Sequence, residues 1–291
     1  MATTARCTFL RPLDLYKTAK PYWLFIGKPD HARDIETTNV ETEIREVNVS
    51  DVRGREDGFV LDEHGFQFIK HDIAFQAFDD QARIVSEYLP RVERVIKDCI
   101  PHVTRTLVYD WRLRKEIARD DPQFVSPNQV QDREFLLAPS VIVHADLTEF
   151  TLLKRVRAEL PEEADELMKG RIQMINFWKP LYDEVKNWPL IVSDARTVSM
   201  DKLVAVDQVS RRFVGDVYYA TYDPDNKWYY QSCMATDEGV LFKSWDTSPD
   251  VSHKACIHSS SNILNLEPGM LPECHTLRRS IECRVLAFSS Q

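Results

Sequence analysis

Two histidines and an aspartate carry the first chemical signal in this chain. In Pro139-Ser140-Val141-Ile142-Val143-His144-Ala145-Asp146-Leu147-Thr148, a short apolar run ends in a histidine and an aspartate two residues apart. Side chains on a strand alternate faces, so His144 and Asp146 project the same way. A neutral imidazole and a carboxylate leaving a strand end together can form two corners of a two-histidine, one-carboxylate iron site with open positions. His258, in Lys254-Ala255-Cys256-Ile257-His258-Ser259, ends a second apolar run and is the candidate third corner. The separation of 114 residues (258 − 144) leaves room for several strands to bring the second histidine beside the first. A lone His-x-Asp arises often by chance, so the pair matters only in company.

That company lies near the C-terminus, in Arg278-Arg279-Ser280-Ile281-Glu282-Cys283-Arg284. As a strand, this segment puts Arg278, Ser280, Glu282 and Arg284 on one face and Ile281, Cys283 and Val285 on the other. An inward face with two arginines and a serine suits a bound anion, because a guanidinium forks onto a carboxylate and a hydroxyl adds a third bond. Arg278, with its serine two residues on, is the first candidate. Arg284 serves equally well as a second anion ligand or as the ion-pair partner of Glu282 or another carboxylate.

The elements that must position these residues follow from periodicity. The 291-residue chain is 43% hydrophobic and 29% charged, the balance of an ordinary globular protein. Its net charge of −9 gives no electrostatic footprint for nucleic acid. No apolar run reaches the roughly 18 residues of a membrane span, and the N-terminus lacks the apolar core of a signal peptide. A cytoplasmic protein acting on a small molecule is the expectation. The six cysteines contain no C-x-x-C pair and read as reduced and mostly buried. Cys256 shares the strand face of His258 and reads first as a small core residue.

Residues 1–40, with Pro12, Pro21 and Pro29, read as an irregular N-terminal arm anchored by Tyr22, Trp23, Leu24, Phe25 and Ile26. That apolar patch fits either the body of the protein or a second copy in a homodimer. Val40–Val49 reads as a strand, and Gly58–Leu61 and Phe66–Ile69 as a hairpin about Asp62-Glu63-His64-Gly65. Apolar residues from Ile84 to Cys99 recur at helical spacing, with Pro90 set to kink or split the helix. Arg105–Tyr109 is a short strand, and the charged Arg112–Arg119 reads as a helix or loop. Glu149–Leu160 is helical, and a second helix opens at Pro161 and closes at Gly170. Eight strand-like runs follow, from Arg171 to Phe288, at the spacing of a sandwich or barrel. The expected fold is α+β: one domain over residues 1–291, a jelly-roll core with flanking N-terminal helices.

Taken together, His144-x-Asp146, His258 and Arg278-x-Ser280 resemble the Fe(II)/2-oxoglutarate oxygenases of double-stranded β-helix fold. The resemblance is nearest a natural-product subgroup that includes the GA4 desaturase and the cephamycin methoxylation protein. It extends through Asp51-Val52-Arg53-Gly54, Gly58-Phe59-Val60-Leu61-Asp62, Arg155-Val156-Arg157, Gly170 to Pro180, Ser193 to Val198 and Trp228-Tyr229-Tyr230. Two neighbourhoods depart from that pattern: Ser259 to Ile263, and Trp111-Arg112. The resemblance implies iron on His144, Asp146 and His258, with 2-oxoglutarate on Arg278 and Ser280. The implied reaction is hydroxylation or desaturation of a hydrophobic natural product. The subgroup also resembles fungal hetero-Diels–Alderases that join a tropolone quinone methide to humulene without redox chemistry. Such a pericyclase needs an apolar pocket and a polar group, for which Trp178 and Lys179 are the first candidates. Trp111, Phe177, Trp245, Ile263 and Leu264 would supply the apolar wall.

Overall fold

Strands of β-branched and aromatic residues build two sheets that face each other. The computed structural model describes residues 3–26, 36–116, 137–211, 213–264 and 277–289. One sheet has five antiparallel strands in the order Phe66–Lys70, Glu238–Asp246, Arg171–Pro180, Arg279–Ser289, Val103–Lys115. Its three middle strands are covered on both faces, so they read as nearly continuous buried runs rather than clean alternations. Ile175, Phe177, Ile281, Cys283 and Val285 point outward onto Leu89, Val92 and Ile96 of the Leu89–Cys99 helix. Met174, Leu286 and Phe288 point inward and meet Phe9, Ile191 and Trp228 from the second sheet. Each such large apolar side chain contributes about 1.5–3 kcal/mol on burial.

The second sheet has ten strands, several of them only two to four residues long. At its centre, His144–Ala145 pairs antiparallel with His258–Ser260, and the register sets His258 directly opposite His144. Neighbouring strands lie about 4.8 Å apart, so this register alone brings the two distant histidines into contact range. Two facing sheets with a shared core are consistent with the jelly-roll expectation.

Several local expectations change. The apolar run before His144 is not a regular strand: Ile142 makes one isolated bridge to Thr8, and the ladder begins at His144. The Gly58–Ile69 hairpin is absent. Leu61–His64 forms one helical turn, with Gly65 N–H bonded to Leu61 O at 3.0 Å and Gly65 at φ +81°. Acidic residues in the first turn and a left-handed glycine behind it are helix signals, which outweigh the turn reading. The helix about Pro90 is split as expected, and the device is a π turn over Ile84–Tyr88 that leads into Leu89–Cys99. Pro90 then falls in a first turn, where its missing N–H costs little.

The N-terminal arm is also not irregular. Thr4–Leu10 pairs over its full length with Thr42–Asp51 and buries Cys7 and Phe9 completely. Tyr22–Phe25 pairs parallel with Leu203–Ser210 at the sheet edge. These three strands all enter the ten-stranded sheet ahead of the α-helices, and Phe66–Lys70 is the first to enter the five-stranded one. Arg112–Lys115 is neither helix nor loop but the end of the thirteen-residue strand Val103–Lys115. Arg112 pairs with Asp110 on the same strand and Arg114 with Glu282 on the next, as described below. The helix after Pro161 is shorter than expected, Ala164–Leu167. Cys7, Cys256 and Cys283 are buried free thiols, while Cys274 and Pro29 fall outside the described residues.

Gly65 is needed on two counts. Its φ is left-handed, and a Cβ there would lie 2.7 Å from Ala195 Cβ and 3.1 Å from Cys256 Cβ. Gly54 has a similar φ of +84° with nothing within 4 Å. Gly54→Ala should therefore cost only the backbone penalty, about 1–2 kcal/mol, and Gly65→Ala clearly more. Urea midpoints of the two variants check this, and equal losses would show that the close approach relaxes freely.

Candidate metal centre

His144 and His258 stand side by side with ring centroids 4.3 Å apart. Each ring is oriented by its own backbone: His144 Nδ1 lies 2.7 Å from Ile142 O, and His258 Nδ1 lies 3.3 Å from Cys256 O. A backbone carbonyl accepts only from a protonated nitrogen, so the neutral form of each ring carries its proton on Nδ1 and its lone pair on Nε2. Both look onto the same carboxylate, His144 Nε2 at 3.6 Å from Asp146 Oδ1 and His258 Nε2 at 3.6 Å from Asp146 Oδ2. One ligand atom from each of the three lies within 4.8 Å of the others. Ligands about 2.1 Å from one ion lie roughly 3–3.5 Å apart, so a small inward movement completes a shared site.

His258 Nε2 is the informative atom. It is buried and has no hydrogen-bond partner, and an orphaned acceptor of this kind calls for an ion or a water. Burial, helped by neighbouring His144, pushes the His258 imidazole down to about 4. It therefore remains neutral, the form that binds metal. The donor set of two neutral imidazoles and one carboxylate fits Fe(II), and three ligands leave coordination positions open.

Asp146 is the charged member. Burial opposes its ionisation, but Arg284, then the two histidines, outweigh that and hold the carboxyl well below the usual range. Arg284 Nη2 donates to Asp146 Oδ1 at 2.5 Å. Asn176 Nδ2 donates to Oδ2, and Ser244 Oγ reaches the same oxygen at 3.3 Å. Ser244 is available because the register shifts between Lys243 and Trp245, a bulge that turns Ser244 and Trp245 both inward. Arg284 is itself held by Glu282 Oε1, 3.1 Å from Nε, and by Asp110 Oδ2, 3.3 Å from Nη1. Glu282 also takes Arg114 at 3.2 Å, and Asp110 takes Arg112 at 3.1 Å. These pairs satisfy the charged end of the Val103–Lys115 strand.

Arg278 and Ser280 do sit together, next to the same interior. Arg278 is 3% exposed. Its Nη2 and Nε lie 3.1 and 3.3 Å from Ser280 Oγ, its Nη1 lies 2.8 Å from Ser260 Oγ, and Nη1 also donates to Trp188 O. Its guanidinium lies 5.0 Å from the Trp178 ring. All of these acceptors are neutral. Burial, with Arg114 as a second cause, pushes Arg278 down to about 9. A buried guanidinium with no carboxylate in contact among the described residues is poised for an anion.

Trp178 faces this interior, but Lys179 does not. Alternation sends Lys179 to the helix side of the sheet with Phe177, near His71 and Cys283. Burial pushes its amine down to about 8. Trp111 and Phe177 also lie on that outer side. Trp245 faces inward and stacks on Tyr218, whereas Ile263 and Leu264 form a strand at the far sheet edge. Cys256 is core, its thiol bonded to Ser193 O at 3.2 Å. Asn176, Ser244, Ser260 and the Trp188 carbonyl were missed from sequence. Only Asn176 offered a signal, as an amide inside an otherwise apolar run.

The iron and alpha-ketoglutarate-dependent endoperoxidase NvfI matches all of this chain over 99% of its own, with TM-score 0.82 and 23% identity. A single-site variant of it reaches 0.84. Fold and relatives define an enzyme of the 2-oxoglutarate-dependent oxygenase type, an oxidoreductase. The family described as Oxidoreductase/YMDC permease-like domain matches residues 8–288, and the chain belongs to it. Among the described residues, no helix is long and apolar enough to cross a membrane. Aspirochlorine biosynthesis protein N of Aspergillus oryzae is 36% identical over 137 residues, 46% of this chain and just over half (56%) of that protein. Hydroxylase/desaturase CTB9 of Cercospora beticola is 32% identical over 75% of this chain and 70% of its own. The Fe(II)/2-oxoglutarate-dependent dioxygenase nvfI of Aspergillus novofumigatus is 25% identical over 84% of each.

His258 sets a pH dependence in metal-free protein. The unfolded chain protonates it near 6.5 and the folded chain only near 4. Between those values the unfolded state holds more protons, so stability falls as pH drops from about 6.5 to 4. In EDTA, His258→Phe should flatten this slope by up to one proton, measured by urea unfolding at several pH values. An unchanged slope would mean that folded His258 is already protonated.

Proposed function

We propose that this chain is an Fe(II)- and 2-oxoglutarate-dependent hydroxylase or desaturase of natural-product biosynthesis. Its iron ligands are His144, Asp146 and His258. The observation that carries this reading is the buried, unpartnered His258 Nε2 facing an ionised Asp146 beside His144. Curated relatives named as hydroxylase/desaturases and dioxygenases support it. The resemblance to the GA4 desaturase and cephamycin methoxylation proteins is part of the same proposal, as is a single domain over residues 1–291.

Iron bound there, with 2-oxoglutarate and O₂, supplies an oxidant able to take hydrogen from an unactivated carbon. The chain does the rest. Asp146 stays charged and His258 stays neutral, so neither has a proton to lose when the metal arrives. Arg278 and Ser280 hold the distal carboxylate of 2-oxoglutarate, with Ser260 beside them and Trp178 under the guanidinium. The burial of Arg278 keeps water from competing for that carboxylate. The substrate is a small molecule.

A metal-free hetero-Diels–Alder reaction is not favoured. Of the residues it would draw on, Trp178 and Trp245 face the interior, whereas Lys179, Trp111 and Phe177 face the helices. Two measurements test the oxygenase reading. Alanine at His144, Asp146 or His258 should lower iron content by elemental analysis and abolish succinate release, because a missing ligand strips the metal. Product formed at full rate in EDTA under nitrogen would sink the proposal. Arg278→Ala should weaken 2-oxoglutarate binding by about 1.5–3 kcal/mol, the value of a charge-assisted bond. Calorimetry in the presence of Mn(II) reads this directly, and equal affinities would place the co-substrate elsewhere.

A further inference from the structure

Arg284 and Arg278 lie six positions apart on one strand face, yet their surroundings are opposite. Among the described residues, Arg278 donates only to neutral oxygens. Arg284 has each of its three nitrogens on a carboxylate: Nη2 on Asp146 at 2.5 Å, Nε on Glu282 at 3.1 Å, and Nη1 on Asp110 at 3.3 Å. Cross-strand register locks the arrangement, because Arg284 pairs with Asp110 on one side and Asn176 on the other. Arg284 and Asn176 then reach Asp146 together from the five-stranded sheet, while Asp146 itself follows a strand of the ten-stranded sheet.

We infer that Arg284 is a positioning residue for the Asp146 ligand and takes no part in holding an anionic co-substrate. The inference rests on the metal centre proposed above. A guanidinium already shared among three carboxylates has no free fork for a fourth. Its Nη2 ties down Asp146 Oδ1, while Asn176 and Ser244 share Oδ2. The carboxylate therefore has one orientation before an ion arrives. Outer partners of metal ligands commonly change affinity by about 10–100-fold when removed. Arg284 additionally offsets the burial of a negative charge, so its loss should also reduce stability.

Co(II) is the probe, read by calorimetry and by its visible absorption, with wild type, Arg284→Met and Arg284→Lys compared. Arg284→Met should bind Co(II) about 10–100-fold more weakly, with an altered spectrum. Arg284→Lys keeps the buried charge but not the three-way fork. It should fold even if the methionine variant does not, and should still bind Co(II) about 10-fold more weakly. Affinity for 2-oxoglutarate, measured at saturating Co(II), should be unchanged in Arg284→Lys. Wild-type Co(II) affinity and spectrum in both variants, with only the unfolding midpoint lowered, would make Arg284 purely structural and overturn the inference. Weaker 2-oxoglutarate binding with intact Co(II) binding would make it a co-substrate anchor and overturn it too. Equal Co(II) binding by wild type and His144→Ala is a different result: it removes the metal centre itself, and this inference with it.

Discussion

The ionised carboxylate of Asp146, 3% exposed at the side chain, is the constraint on which the interior depends. A carboxylate removed from water costs several kcal/mol unless paired and hydrogen-bonded. Here the compensation comes from the opposite sheet, through Arg284 and Asn176. Arg284 is itself a half-buried cation, accompanied by Glu282 and Asp110, and these in turn by Arg114 and Arg112. One buried negative charge thus propagates into a ladder of alternating charge along two adjacent strands. Because alternation places these groups at every second residue, the intervening Ile281, Cys283 and Val285 are free to cover the helix face.

The inner space is consequently divided. Toward one end, Phe9, Met174, Ile191, Trp228, Leu286 and Phe288 close it with apolar side chains. Toward the other lie the histidine pair, the charge ladder and the arginine–serine corner. The apolar end supplies most of the cohesion between sheets. The polar end would weaken the sandwich if its groups were unpaired, and most are paired. Among the described residues Asn176 Oδ1 and the Trp178 and Trp245 indole nitrogens lack partners. Two further exceptions are the groups the proposed function uses: an imidazole nitrogen without a donor and a guanidinium without a carboxylate. Both exceptions remain where a metal and an anion would complete them.

A second charged cluster supports the same strands from outside. Lys243 and Asp246 are fully buried, 3.0 Å apart, and joined by Arg171 and Asp62. The cluster flanks the bulge that turns Ser244 toward Asp146. Here burial opposes the charged form of Asp246, yet Arg171 and Lys243 hold its carboxyl below the ordinary range. Its stabilisation is present at neutral pH and is lost only as pH falls through that lowered value.

The sequence by itself determined the donor types and most of the strands. Period two predicts the row of Arg278, Ser280, Glu282 and Arg284 and a shared face for His144 and Asp146, which do meet although their strand ends at Ala145. Burial patterns in residues 171–289 were legible because apolar runs and turn residues are local properties. Tertiary structure decided what is not local. Register placed His258 opposite His144, and no spacing of 114 residues encodes a register. Cross-strand partners turned Arg112–Lys115 into strand, although its own charges read as solvent-facing. The N-terminal arm became a core strand only through pairing with Thr42–Asp51. Arg284 was open between two roles in the sequence, because an arginine two residues from a glutamate looks alike beside a bound anion or a metal ligand. Only the facing sheet, which brings Asp146 within 2.5 Å, distinguishes the two.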